Sequence, residues 1–148
     1  SDSRFLTDGG FHVDELAVAV KDMREKAAAR GKQDFQITLG FEGWLSDETD
    51  VREKHGHRWV RELSFYAEKG LSPDTEAKDV LEPLENMFLC LGNKQKWVDR
   101  MGEMKEKVNP DWLCIRTRNP VNPGKYYPPR TECLEVIERF GEILGEIR

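Results

Sequence analysis

Two short stretches of the 148-residue chain hold side chains that could do chemistry where a strand ends. In DWLCIRTRNP, four consecutive apolar residues, Trp112 to Ile115, run straight into Arg116 and, two positions on, Arg118. A guanidinium released at the end of a buried strand can grip a carboxylate or phosphate of a substrate or cofactor. It can equally pair with a carboxylate of the chain itself, or face solvent. In GFEGW, Glu42 and Trp44 leave an earlier strand. Glu42 can serve as a general base if it is desolvated, or stay solvated and inert. Trp44 can wall a pocket or cap the core.

The remaining candidates are weaker. KHGHRW sets His55 and His57 two residues apart, a spacing that does not put both on one helical face, so no helical metal site is expected. His12 falls near a helix start with no partner in view. Cys90, Cys114 and Cys133 are an odd number at wide spacings. Without a CxxC pair they read as reduced, partly buried thiols of a cytoplasmic protein, not as zinc ligands. In KYYPPR, Tyr126 and Tyr127 sit in a stiff loop that can cover a pocket or form a contact surface. There is no GxGxxG, no P-loop and no GxSxG, so dinucleotide-fold and hydrolase readings gain nothing.

Composition sets the frame. Apolar residues make up 38% and charged residues 34% of the chain, a globular balance with too many aromatic and aliphatic side chains for a disordered tail. The net charge of −5 comes with no basic stripe, so nucleic acid is not an expected partner. No apolar run approaches the ~20 residues needed to span a bilayer. The length suits one domain over 1–148.

These side chains need elements to position them. HVDELAVAVKDMREKAAARG carries Val13, Leu16, Ala17, Val20, Met23 and Ala27 at steps of three and four, which predicts an amphipathic helix with Asp14 and Glu15 at its positive end. In QDFQITLGFEG, Phe35, Ile37, Leu39 and Phe41 alternate with smaller or polar residues, which predicts a strand. A helix follows from Val51, capped by Asp47 or Asp50 and interrupted by Gly56; Trp59, Val60, Leu63 and Ala67 would line its apolar face. LSPDTEAKDVLEPLE reads as a loop with a helical turn, because Pro73 and Pro83 punctuate it. NMFLCLG is strand-like. NKQKWVDRMGEMKEKV is a helix capped by Asn93, with Trp97, Val98, Met101, Met104 and Val108 inward. WLCIRT is a strand whose unbroken apolar run predicts burial on both faces, as in a parallel sheet. The last helix, capped by Thr131, would turn Leu134, Ile137, Phe140, Leu144 and Ile147 inward. The alternation of strands and helices argues for βα units around a parallel sheet.

In order and spacing, these segments resemble the C-terminal part of the bacterial luciferase-like monooxygenase family, flavin- or F420-dependent enzymes on a TIM barrel. FLTDGGF is similar to the family's sixth strand and its Ala-Asp-Gly-Trp exit, with Gly10 in place of the tryptophan. VDELAVAVKDMREKAAARGKQDFQITL resembles the next helix and strand. LSDETDVREKHGHRWVRELSFYAEKG resembles the family's Thr-Asp-Glu-Glu-Ala stretch and helix. CLGNKQKWVDRM resembles the opening of the penultimate helix, with Asn93 and Lys94 where serine and proline are usual. DWLCIRTRNPVNPG and ECLEVIERFGEILGEIR resemble the last strand, its loop and the closing helix, with Gly145 where the family has proline.

The resemblance implies an α/β fold: the C-terminal portion of a (β/α)8 barrel with about three βα units. A complete barrel needs eight strands and about 250 residues. The chain is therefore expected to be a fragment of a longer enzyme, or a truncated relative that joins the remainder of the barrel or associates with itself to cover its raw sheet edges. Active sites of such barrels lie at the C-terminal strand ends. Here those are Asp8 to Gly10, Gly40 to Trp44 and Arg116 to Pro120, which makes Arg116, Arg118, Glu42 and Trp44 the pocket candidates, Trp44 able to stack on an isoalloxazine ring. The implied cofactor is FMN, for oxygenation of a small organic substrate, or F420, for hydride transfer. The family's main cofactor-binding residues belong to the absent strands, so the catalytic residues stay unassigned. The alternative is a non-catalytic α/β fragment or subunit whose role is association.

Overall fold

A computed structural model of the chain describes residues 3–6, 12–60, 77–86, 88–117 and 130–146, with side chains throughout these except in 3–6 and 77–80. Four strands, β1 (Ser3–Leu6), β2 (Gln36–Leu45), β3 (Leu89–Gly92) and β4 (Trp112–Arg116), form one sheet in which every pairing is parallel. The helices are α1 (Val13–Ala29), α2 (Val51–His55), α3 (Ala77–Glu85), α4 (Lys94–Lys107) and α5 (Arg130–Leu144), with helical backbone again over residues 57–60. This is the βα architecture of a partial (β/α)8 barrel.

All three other strands pair with β2. β1 pairs with Gln36–Leu39, β3 with Glu42–Leu45, and β4 with Thr38–Glu42. Thr38 and Leu39 are shared by β1 and β4, and Glu42 by β3 and β4. A strand has two edges, so β4 occupies one edge of β2 while β1 and β3 divide the other. The predicted alternation holds only in the first half of β2. From Phe41 to Leu45 every residue is buried, because this half is covered on both faces.

Gly43 makes that second half possible. Its φ is 153°, and a Cβ built there would lie 1.8 Å from the Cys90 carbonyl oxygen and 2.7 Å from the Trp97 ring. Trp97 is the centre of the core. It is fully buried, donates its indole N–H to the Trp44 carbonyl at 3.2 Å, and takes the edge of Phe140 at 4.6 Å between ring centres. α4 presents Trp97, Met101 and Met104 inward as its spacing predicts, and Asn93 caps it by accepting from the Lys96 amide at 3.0 Å. Lys96 in turn donates to the Leu91 carbonyl at 2.9 Å, so a side chain covers part of the β3 backbone. At the opposite end of the sheet, Asp111 accepts from the Ile37 amide at 2.7 Å and from Arg24 at 3.1 Å, which ties α1, β2 and the start of β4 together. The Ile37 amide and then Arg24 hold the Asp111 carboxyl below the usual range, against the opposing pull of desolvation.

Four expectations need correction. β4 is not buried on both faces: Trp112 is 61% exposed and Leu113 to Arg116 are only partly covered, and β4 pairs with β2 alone among the described strands. The segment expected as a loop with one turn contains α3, nine residues long with Pro83 inside it. Asp50 stands at the N-cap position of α2 but makes no capping bond; its carboxylate goes to Lys54. α5 begins at Arg130, so Thr131 lies inside it, and its buried residues are Val136, Phe140 and Ile143 in place of Leu134, Ile137 and Leu144. Leu63, Ala67, Pro73 and Ile147 lie outside the side chains described.

The close approach at Gly43 yields a direct test. Gly43→Ala should destabilise the protein by about 3 kcal/mol or more, since backbone and an immobile indole block the new methyl. Chemical denaturation measures it, with Gly102→Ala as the control, because a Cβ there meets nothing within 4 Å.

Candidate functional site

Parallel pairing sends the C-terminal ends of β2, β3 and β4 to one rim of the sheet. Glu42 and Arg116 are direct partners in the β2–β4 register, so their side chains leave the same face side by side. They form an ion pair between Glu42 Oε1 and Arg116 Nη2. The other carboxylate oxygen, Oε2, accepts from the indole N–H of Trp59 at 2.9 Å. Glu42 is buried, and both of its oxygens have partners, as a buried polar group requires. The Arg116 side chain is 40% exposed, with its Nε buried.

Trp44, two residues further along β2, is buried. His55 stacks on its ring at 4.8 Å with 20° between planes, and the Arg58 guanidinium lies 4.7 Å from the ring centre. Trp44 is therefore a wall with neighbours already on its ring. Beyond the end of β2 lies a groove of about 470 Å³, lined by Trp44, Ser46 and His55 on one side and by Glu132, Glu135 and Arg139 of α5 on the other.

His55 is buried, and burial, reinforced by the Arg58 charge, pulls its pKa down to about 4 against the opposing pull of Glu48. It is neutral at pH 7. Its Nε2 lies 3.6 Å from a Glu48 carboxylate oxygen, while its buried Nδ1 has no hydrogen-bond partner. Arg58 is similarly placed: Nε and Nη1 are buried without an acceptor, and it pairs with Glu132 at 3.8 Å. Burial lowers the pKa of Arg58, while Glu132 and Cys133 raise it.

The structure thus brings Glu42, Trp44 and Arg116 to one rim. Arg118, Asp8 to Gly10, Tyr126 and Tyr127 lie outside the described residues. His55, Arg58 and Trp59 are the rim residues that reading for metal spacing overlooked. Their separations of three and four were the available signal, since they place all three on one side of a helix. Among the described residues no cluster of three or more histidine, cysteine, aspartate or glutamate side chains could hold a metal ion, and no helix is long and apolar enough to cross a membrane.

No family model matches the chain, and no curated protein matches it in sequence. Among solved structures it is similar to that of long-chain alkane monooxygenase (LadA), with a TM-score of 0.59 and 20% identity. The superposition covers 97% of this chain and 37% of that one, so the chain spans little more than a third of the length of its structural neighbour. The likeness establishes the fold.

Two predictions follow from the rim. Glu42→Ala strands the Trp59 N–H and the inner side of Arg116, and Trp59→Phe strands a buried carboxylate oxygen and leaves a cavity where the indole was; each should cost about 2–3 kcal/mol. Denaturant midpoints measure both. His55 has its folded pKa of about 4 below the ordinary 6.5, so the unfolded chain binds more protons between these values. Stability should therefore be complete above pH 6.5 and fall as pH drops towards 4, by up to about 3 kcal/mol from this residue. His55→Phe keeps a stacked ring and should flatten that part of the stability-versus-pH curve; an unchanged slope would refute the assignment.

Proposed function

We propose that the chain is part of a flavin-type oxidoreductase of the luciferase-like monooxygenase kind, contributing one sector of the ligand rim. The observation that supports this most is the delivery of Glu42, Arg116 and Trp44 to a single strand-end rim, the face at which (β/α)8 barrels bind their ligands. The rest of the barrel would supply the main cofactor contacts, since this chain spans only 37% of its structural neighbour.

Among the described rim residues, Arg116 fits an anionic or carbonyl group of a cofactor or small organic substrate. Glu42 and the β2–β4 register fix its position, and its side chain is 40% exposed. Glu42 is then an anchor and not a general base, because Arg116 and Trp59 occupy both its oxygens. Trp44 and His55 form one wall of the groove. When bound, FMN would supply oxygen activation, or F420 hydride transfer.

Titration of the purified chain with FMN and with F420, read by quenching of cofactor fluorescence, tests the reading. Saturable quenching by one of them, weakened about tenfold in Arg116→Ala, is expected. If neither is quenched, the association role becomes the better account, and the exposed apolar residues of α5 favour it.

A further inference from the structure

The Glu42 carboxylate stands between two donors of different kinds. Oε1 meets the guanidinium of Arg116, a long and partly exposed side chain. Oε2 accepts from the indole N–H of Trp59 at 2.9 Å, and that residue is only 3% exposed. The turn that carries the indole is also tightly packed. The Trp59 amide donates to the Gly56 carbonyl at 3.0 Å, and a Cβ at Gly56 would lie 2.5 Å from the Leu81 side chain of α3. One donor is therefore anchored by packing, while the other belongs to a side chain that can follow the carboxylate.

We propose, on the reading that Arg116 receives an anionic or carbonyl group, that Trp59 is a positioning residue for that arginine and acts through Glu42. A glutamate side chain has three rotatable bonds, the last of which turns easily, so an ion pair at one oxygen does not set the plane of the carboxylate. The indole N–H does, by holding the second oxygen from a fixed point. It also limits what Glu42 can do. Carboxylate and guanidinium favour a two-pronged pairing, with both oxygens on one fork. With Oε2 held by Trp59, Glu42 faces Arg116 through Oε1. Once the N–H is removed, the stranded oxygen turns to the guanidinium, and the fork closes on Glu42 at the expense of a ligand. Trp59 thus keeps the arginine in place without letting its own carboxylate claim the whole of it.

Removing the N–H and nothing else tests this on the whole chain. β-(3-benzothienyl)alanine at position 59 keeps both rings and sets sulfur in place of the N–H; Trp59→Phe is the encoded counterpart. Rotation of the Arg116 guanidinium about its Nε–Cζ bond, followed by NMR and assigned by its disappearance in Arg116→Lys, reports how firmly the fork is held with no cofactor present. It should slow about threefold or more in both variants, since two oxygens then grip the fork. Affinity for whichever of FMN and F420 the wild type binds should fall about tenfold in the same variants, and by less than about twofold when Arg116→Ala is already in place. Trp112→Phe, which removes an indole N–H that reaches Gln36 instead, should change neither readout. Rotation that stays the same or quickens would overturn the proposal. So would a loss of affinity that persists undiminished beside Arg116→Ala, because Trp59 would then act on the fold and not on the arginine. Slowed rotation in a chain that binds neither cofactor would sink the flavin reading alone and leave the Trp59–Glu42–Arg116 linkage standing.

Discussion

The structure depends on one strand being hydrogen-bonded along both edges. β2 is ten residues long and buried through its second half, where its amides and carbonyls have no access to water. Each must find a partner in a neighbouring strand, because an unpaired buried backbone group costs as much as a lost hydrogen bond. β4 serves one edge, and β1 and β3 serve the two ends of the other. That requirement explains Gly43. At the place where β3 enters, the backbones come so close that no side chain fits, and the indole of Trp97 fills what space remains. Fold and core therefore meet at one residue whose contribution is having no side chain.

The same register dictates the chemistry at the rim. Glu42 belongs to the buried part of β2, and a carboxylate there needs compensation. The β2–β4 pairing supplies it by setting Arg116 directly opposite, and the 57–60 turn adds the Trp59 N–H. The cost of burying a charge is thereby converted into position: an arginine side chain, otherwise rich in rotamers, is held at the strand end. His55 is the converse case. With Arg58 close by and burial against it, the ring avoids charge altogether and stacks on Trp44 as a neutral aromatic.

How much of this was legible in the residues differs from element to element. α1 and α4 were readable because a single apolar stripe faced a single partner layer. The rim was readable too, since Glu42, Trp44 and Arg116 stand where apolar runs end. β4 was misread because an unbroken apolar run looks the same whether a strand is covered on both faces or left half-covered with one strand partner. α5 was misread because two apolar stripes lie side by side on it, and periodicity alone cannot say which one the core takes. Val136, Phe140 and Ile143 are the stripe the core takes, with Phe140 packed perpendicular to the Trp97 ring. The partnership of His55, Arg58 and Trp59 stayed hidden for a different reason: Gly56 splits the helix, and only the fold shows that the turn reforms at once and keeps all three beside β2.

Incomplete burial connects these points. A parallel sheet is normally covered on both faces and paired along both edges. Here β4 pairs with β2 only, Trp112 projects into solvent, and α5 turns a continuous apolar seam outward. Three such exposures on one chain differ from scattered surface leucines, which need no explanation. They belong to the last strand of the sequence and the helix that follows it, so one βα unit carries all three. That unit is also the one that delivers Arg116 to the rim. Whatever covers α5 or extends the sheet beyond β4 therefore abuts the unit that carries Arg116.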